Sequence, residues 1–190
     1  LHPPDNKNRI RLALGTLLVR TLGQNILVDT GIGNKGDAKF CEMFAVDRTP
    51  SIEQSLATHH LTLNDIQIVI NTHLHLDHAG GNTRKDLQHR ILPTFPNAKY
   101  YIQRKEWETA IRPNERTKGS YRQEDFRILE EMGLIEFLEG DAKILEGIGV
   151  METPGHTEHH QSALIESEGK KALFLGDLIP TTSHIPYPYI

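Results

Sequence analysis

The stretch from Ile68 to Asn82 constrains the chain most. Ile68, Val69 and Ile70 form a β-branched run that reads as a buried strand. His73, His75, Asp77 and His78 follow at once, and the chain then turns at Gly80-Gly81. Along an extended segment, side chains two apart share a side, so His73, His75 and Asp77 are expected to face one cavity. Three imidazoles and a carboxylate pack poorly in a core but suit a divalent metal. A solvated His-rich surface tract is the alternative. The apolar strand that anchors the cluster, and the partners that recur downstream, argue against it.

Two later strand exits carry the same chemistry. A strand-like Gly149–Thr153 breaks off at Pro154-Gly155-His156, and an apolar Lys171–Leu175 ends in Gly176-Asp177. Loops at strand ends are where a rigid sheet can present polar groups to a shared cleft. His73, His75 and His156 would make a three-histidine site with an open fourth position. Asp77, His78 and Asp177 would make an adjacent one, and a carboxylate between the two can bridge both. Nitrogen and oxygen donors without thiolates suit zinc, and also iron or manganese.

The remaining elements are read around this frame. Residues 10–20 read as a strand and Asn25–Asp29 as its hairpin partner. A Gly-rich turn, Thr30–Gly33, follows without a P-loop helix, so a phosphate cradle is disfavoured. Asp29 either caps that turn or orients a metal-bound histidine from behind. Ser51 caps a helix running to about Thr58, and His59, His60 and His89 read as structural or solvated. Residues 82–97 read as a polar stretch. Ala98–Gln103 is a strand, Arg104–Ile111 a helix, Gln123–Met132 a second helix, and strands follow at 135–138, 142–145, 149–153, 161–166 and 171–175. Trp107, Tyr121 and Phe126 lie in a helical excursion, about 104–134, where core packing is the default and a lid over the pocket the alternative. His159 and His160 read as strand caps or surface residues, with a place at the pocket rim as the alternative.

With 190 residues, 37% hydrophobic and 24% charged, the chain fits one globular domain, 1–190. A net charge of −4 without a dense basic stripe argues against nucleic acid as the main partner. The single cysteine, Cys41, excludes an intrachain disulfide and is compatible with a cytoplasmic setting. No apolar run approaches the roughly 20 residues of a membrane span, so no membrane partner is expected. The chain starts at Leu1, and Tyr187–Ile190 reads as the middle of a longer sequence, so trimming at both ends is expected.

Taken together, His73-Leu-His-Leu-Asp-His78, Thr153-Pro-Gly-His156 and Gly176-Asp177 resemble the metallo-β-lactamase-fold hydrolases, over most of the chain from Val28-Asp-Thr-Gly31 to Asp177. The resemblance implies an αβ/βα four-layer sandwich of two mixed β-sheets flanked by helices, incomplete at its C-terminal end. It implies that His73, His75 and His156 hold a first zinc, that Asp77 and His78 belong to a second, and that Asp177 bridges them. Asp77 would also assist proton transfer to the leaving group. Thr153–Thr157 followed by Gln161-Ser162, next to Asp77–Gly81, is similar to the branch that includes quorum-quenching lactonases. The implied activity is hydrolysis of a small ester-like or lactone substrate by a metal-bound hydroxide. A glyoxalase-II-like thioesterase and a non-catalytic metal-binding scaffold are the alternatives, and a homo-oligomer is compatible with each. The family's last histidine, from a strand well beyond the bridging aspartate, has no counterpart here. His184 is the one downstream histidine, read as a replacement ligand or a pocket wall.

Overall fold

The computed structural model describes residues 3–185; Leu1 and Tyr187–Ile190, on which the expectation of trimming rests, lie outside it. Its elements are β1 (Leu17–Thr21), β2 (Gln24–Val28), α1 (Ala38–Phe44), α2 (Ile52–Ala57), β3 (Ile68–Ile70), β4 (Thr83–Lys85), β5 (Ile91–Pro93), β6 (Lys99–Gln103), α3 (Arg104–Ile111), α4 (Arg127–Glu131), β7 (Ile135–Leu138), β8 (Ala142–Leu145), β9 (Ile148–Glu152), β10 (Gln161–Ser167) and β11 (Lys170–Phe174).

A five-stranded sheet has the order β1-β2-β3-β6-β7. β1 is antiparallel to β2, and the other neighbours are parallel. Parallel neighbours need long crossovers. Helices α1 and α2 fill the one between β2 and β3, and α3 and α4 the one between β6 and β7. The crossover from β3 to β6 instead carries the histidine loop and the small β4–β5 hairpin. A second sheet, β11-β10-β9-β8, is antiparallel throughout among the described residues.

Period-two alternation sorts the first sheet's side chains onto two faces. Leu27, Val69, Tyr100 and Ile102 meet Leu56, Trp107, Ala110, Phe126 and Leu129 from the helical side. Ile26, Val28, Ile68 and Ile70 face the other way and pack on Ile148, Val150 and Ala163 of the second sheet. Three layers result: helices, first sheet, second sheet. On the outer face of the second sheet, Met151 and Leu173 are each 39% exposed, and no helix covers them among the described residues.

Two local expectations are corrected. Residues 10–16 form no strand, and Ile10, Leu12 and Leu14 stay exposed, because no neighbour pairs with them and β1 begins only at Leu17. The polar stretch 82–97 contains the β4–β5 hairpin, too short and too polar to show an alternating pattern. Gly33, in the turn after β2, and Gly81, in the histidine loop, serve backbone packing. A Cβ on Gly33 would lie 2.2 Å from Gly80 O, and one on Gly81 would lie 2.1 Å from Thr30 O. Two loops therefore touch main chain to main chain.

Lys35 locks this junction. Its side chain is fully buried, its Nζ donates to the carbonyls of Gly80 and Thr83, and it stands 3.0 Å from Asp125 Oδ1, which is equally buried. Burial pushes the ammonium down and the Asp125 carboxyl up, and their mutual attraction opposes both shifts. Removing one partner of such a pair strands a buried charge. Lys35→Met is therefore expected to cost about 3–5 kcal/mol in chemical denaturation, with much of the loss recovered in Lys35→Met/Asp125→Leu. An unaffected denaturation midpoint in the single variant would contradict this.

Candidate metal centre

The site forms where strand ends from both sheets reach one edge. β2 and β3 are parallel, so Asp29 and the histidine loop leave at the same end. β9 and β11 both run antiparallel to β10, so His156 and Asp177 leave together as well. Gln161, at the start of β10, joins the two halves. Its N–H donates to Thr72 O at 2.9 Å and its Nε2 to Asn71 O at 2.8 Å.

The structure brings the expected residues together in two overlapping groups. Donor atoms of His73, His75 and His156 lie within 4.8 Å of one another, as do those of His73, His78 and Asp177. His156 Nε2 is 3.0 Å from His75 Nδ1 and 3.4 Å from Asp177 Oδ2. His78 Nε2 is 3.2 Å from Asp177 Oδ1 and 3.8 Å from Asp77 Oδ2. Asp177 thus lies between the groups, while Asp77 flanks the second. His184 joins neither; it sits exposed on a short turn, its Nδ1 2.8 Å from Thr181 Oγ1.

Asp29, buried in a left-handed conformation with φ 56°, stands behind the imidazoles. It accepts from Thr72 N and Thr72 Oγ1, both at 2.8 Å, and lies 2.8 Å from His78 Nδ1. His73 Nδ1 is 3.0 Å from Thr72 Oγ1. The proton order that satisfies every group runs from His73 Nδ1–H to Thr72 and from Thr72 to Asp29. It leaves the Nε2 lone pair of His73 facing the other donors. That atom is buried without a protein partner. An orphaned imidazole nitrogen ringed by three other imidazoles and a carboxylate is costly alone and fits a cation.

Electrostatics divide the donors. Burial, reinforced by neighbouring imidazoles, holds His73 well below the usual histidine range and brings His75 to about 4. Burial also opposes charge on His78, but its hydrogen bonds to Asp177 and Asp29 outweigh that and lift it to about 10. Asp177 follows the same logic in reverse: burial raises it, and its bond to His78 carries it below the usual carboxylate range.

The histidine that the sequence reading set aside is His160. It is fully buried, with Nδ1 2.9 Å from Thr153 Oγ1 and its ring 5.2 Å from that of His73. Gly176, at φ +54°, makes room for it, since a Cβ there would stand 2.8 Å from His160 Nε2. The available signal was its spacing of four from His156, in the same loop after Pro154-Gly155. His159 stays near Glu152 and Glu158, at 4.0 and 3.9 Å.

The family model described as the metallo-beta-lactamase superfamily matches residues 16–189. The chain belongs to that superfamily. An N-acyl homoserine lactonase of Bacillus thuringiensis is 30% identical to it over 179 residues, covering 87% of this chain and 63% of the relative. A probable metal-dependent hydrolase from Staphylococcus aureus, solved as a crystal structure, superposes with a TM-score of 0.87 at 34% identity, covering 96% of this chain and 64% of that one. AidC, described as a dizinc quorum-quenching lactonase in complex with a product, gives a TM-score of 0.66 at 25% identity over 83% of this chain and 54% of its own. The chain therefore spans less than two thirds of each relative. No helix among the described residues is long and apolar enough to cross a membrane.

Because His78 has a raised pKa in the folded, metal-free protein, its cation contributes stability that is full below about pH 6.5 and lost as pH rises through about 10. With chelator present, the stability advantage of the native chain over His78→Asn is expected to shrink across that window. The limit is about 1.4 kcal/mol per pH unit for one proton. Urea denaturation at pH 6, 8 and 9.5 measures it; an advantage that grows with pH would contradict the assignment.

Proposed function

We propose that this chain is the metal-binding part of a hydrolase that opens small cyclic esters, with two divalent ions, zinc favoured, held by His73, His75, His156, His78, Asp77 and Asp177. The observation that supports this most directly is the convergence of two donor groups on one edge, with the lone pair of His73 unclaimed by protein. When bound, such ions bring the pKa of water to about 7 and polarise an ester carbonyl.

The chain's own residues supply the rest. Asp29 keeps the Nδ1 proton of His78 on its far side and, through Thr72, that of His73, so both rings offer Nε2 forward. Asp77, with its side chain 39% exposed, is more open than His73 or His78 and faces the cleft that also contains Leu76 and Ser120. From there it can take a proton from the attacking water and return it to the ring oxygen as the acyl–oxygen bond breaks, work worth about 100- to 10,000-fold in rate. The lactone class is favoured by relatives described as N-acyl homoserine lactonases and by a solved neighbour with N-hexanoyl-L-homoserine, described as product, at its catalytic metal centre.

Purified protein loaded with zinc is expected to carry two ions and to hydrolyse lactones faster than S-lactoylglutathione, a β-lactam or a phosphoester. Asp77→Asn should lose about 100-fold or more in kcat while the ion count holds. His73→Ala and Asp177→Ala should lower the ion count while circular dichroism stays near native. Full metal loading without turnover of any compound in that panel would sink the enzymatic reading and favour a scaffold role.

A further inference from the structure

Helix α3 packs through Trp107 and Ala110, which are buried in the helical-side core. Beside them, in the first turn, is a carboxylate that this packing does not need. Glu106 is 1% exposed, and a charge buried among apolar residues is costly unless it is given partners. Both of its partners lead to the metal centre. Its Oε1 accepts from the backbone N–H of Leu74 at 3.0 Å and from the hydroxyl of Tyr121 at 3.1 Å. Its Oε2 is buried with no partner at all.

Leu74 is the residue between His73 and His75. Tyr121 meets His75 twice. Their backbones form an isolated antiparallel bridge, and their rings pack edge to face with centroids 4.9 Å apart at 65°. The Leu76 N–H donates to Ser120 O at 2.9 Å, so residues 120–121 run alongside the loop like a short extra strand. One carboxylate oxygen therefore grips the histidine loop on one side and the wall that fixes the plane of the His75 ring on the other.

We propose that Glu106 is a positioning residue for the three-histidine group, acting through Leu74 and Tyr121 to hold His75 in the orientation that offers its ring nitrogen to a metal. The inference rests on the reading of His73, His75 and His156 as metal donors. It assigns the helical excursion a role other than a lid or plain core: the excursion supplies the support from which the histidine loop is aimed.

The test compares native protein with Glu106→Ala, Glu106→Asp and Glu106→Gln. Zinc affinity is read by chelator competition, the donor geometry by the visible absorption of the cobalt-loaded protein, and the fold by thermal unfolding of the metal-free form. Glu106→Ala, and Glu106→Asp, which withdraws the acceptor by one methylene, should weaken one of the two ions by about 10- to 100-fold and alter the cobalt spectrum. Glu106→Gln keeps an acceptor oxygen in place and should stay within about threefold of native. If the alanine variant fails to fold, the aspartate variant carries the test. Native affinity and an unchanged spectrum in the aspartate and alanine variants would overturn the proposal and leave the metal reading intact. So would equal loss of both ions together with collapse of the metal-free fold in both, or a glutamine variant as weak as alanine. A native chain that binds no metal would overturn both this and the reading beneath it.

Discussion

The centre depends on how the buried peptide groups between Asn71 and Thr83 are satisfied. Such groups must find partners inside the protein, and this loop has almost no regular structure of its own. Its partners come from every direction. Asp29 takes the N–H of Thr72, Glu106 that of Leu74 and Ser120 O that of Leu76. Thr30 donates to His78 O, Lys35 to Gly80 O and Thr83 O, and the side chains of Asn71 and Asn82 close the loop on itself. The loop is thus fixed through its backbone, and its imidazoles are free to face the cleft. An aspartate, a glutamate and a lysine, all buried, do jobs that helical or strand hydrogen bonds do elsewhere.

The same arrangement explains the split in charge among the donors. Burial and neighbouring imidazoles keep His73 and His75 neutral near pH 7. His78 lies between two carboxylates and is cationic in the metal-free protein. His73 and His75 are already in the state a metal requires, while His78 must release a proton first. Until then, the paired charges of Asp29, His78 and Asp177 hold that half of the edge together.

The ligand-bearing edge was legible because its signals are local. A β-branched run followed by alternating His and Asp is a strand exit with side chains on one side, and β3 and its loop follow that rule. The two sheets, and helices α2 and α3 with their boundaries, were readable for the same reason; Ser51 and Gln54 form the reciprocal cap that the sequence advertises. What stayed hidden depends on distant partners. Nothing near Glu106 in sequence reveals that its acceptors serve Leu74 and Tyr121, and Lys35 looks like any surface lysine until Asp125 is brought under it. His160 was misjudged because its neighbours in sequence are polar, whereas its burial is imposed by Thr153 at the far end of its own loop and by Gly176 from another. Residues 10–16 erred in the opposite direction: leucines in loose alternation suggest a strand, but a strand also needs an edge to join, and β1 forms that edge seven residues later than the pattern starts.

Burial across the donor set is graded. His73 is 1% exposed, whereas the side chains of Asp177 and His156 are 23% and 33% exposed. Water and small solutes therefore reach the donors from the rim formed by Asp77, His156 and Asp177, and not from behind His73. An ion arriving there would meet His156 and Asp177 before His73, and a departing one would release them last. Exchange kinetics would then be governed by Asp77 and the loops after β9 and β11, even though the deepest nitrogen belongs to His73.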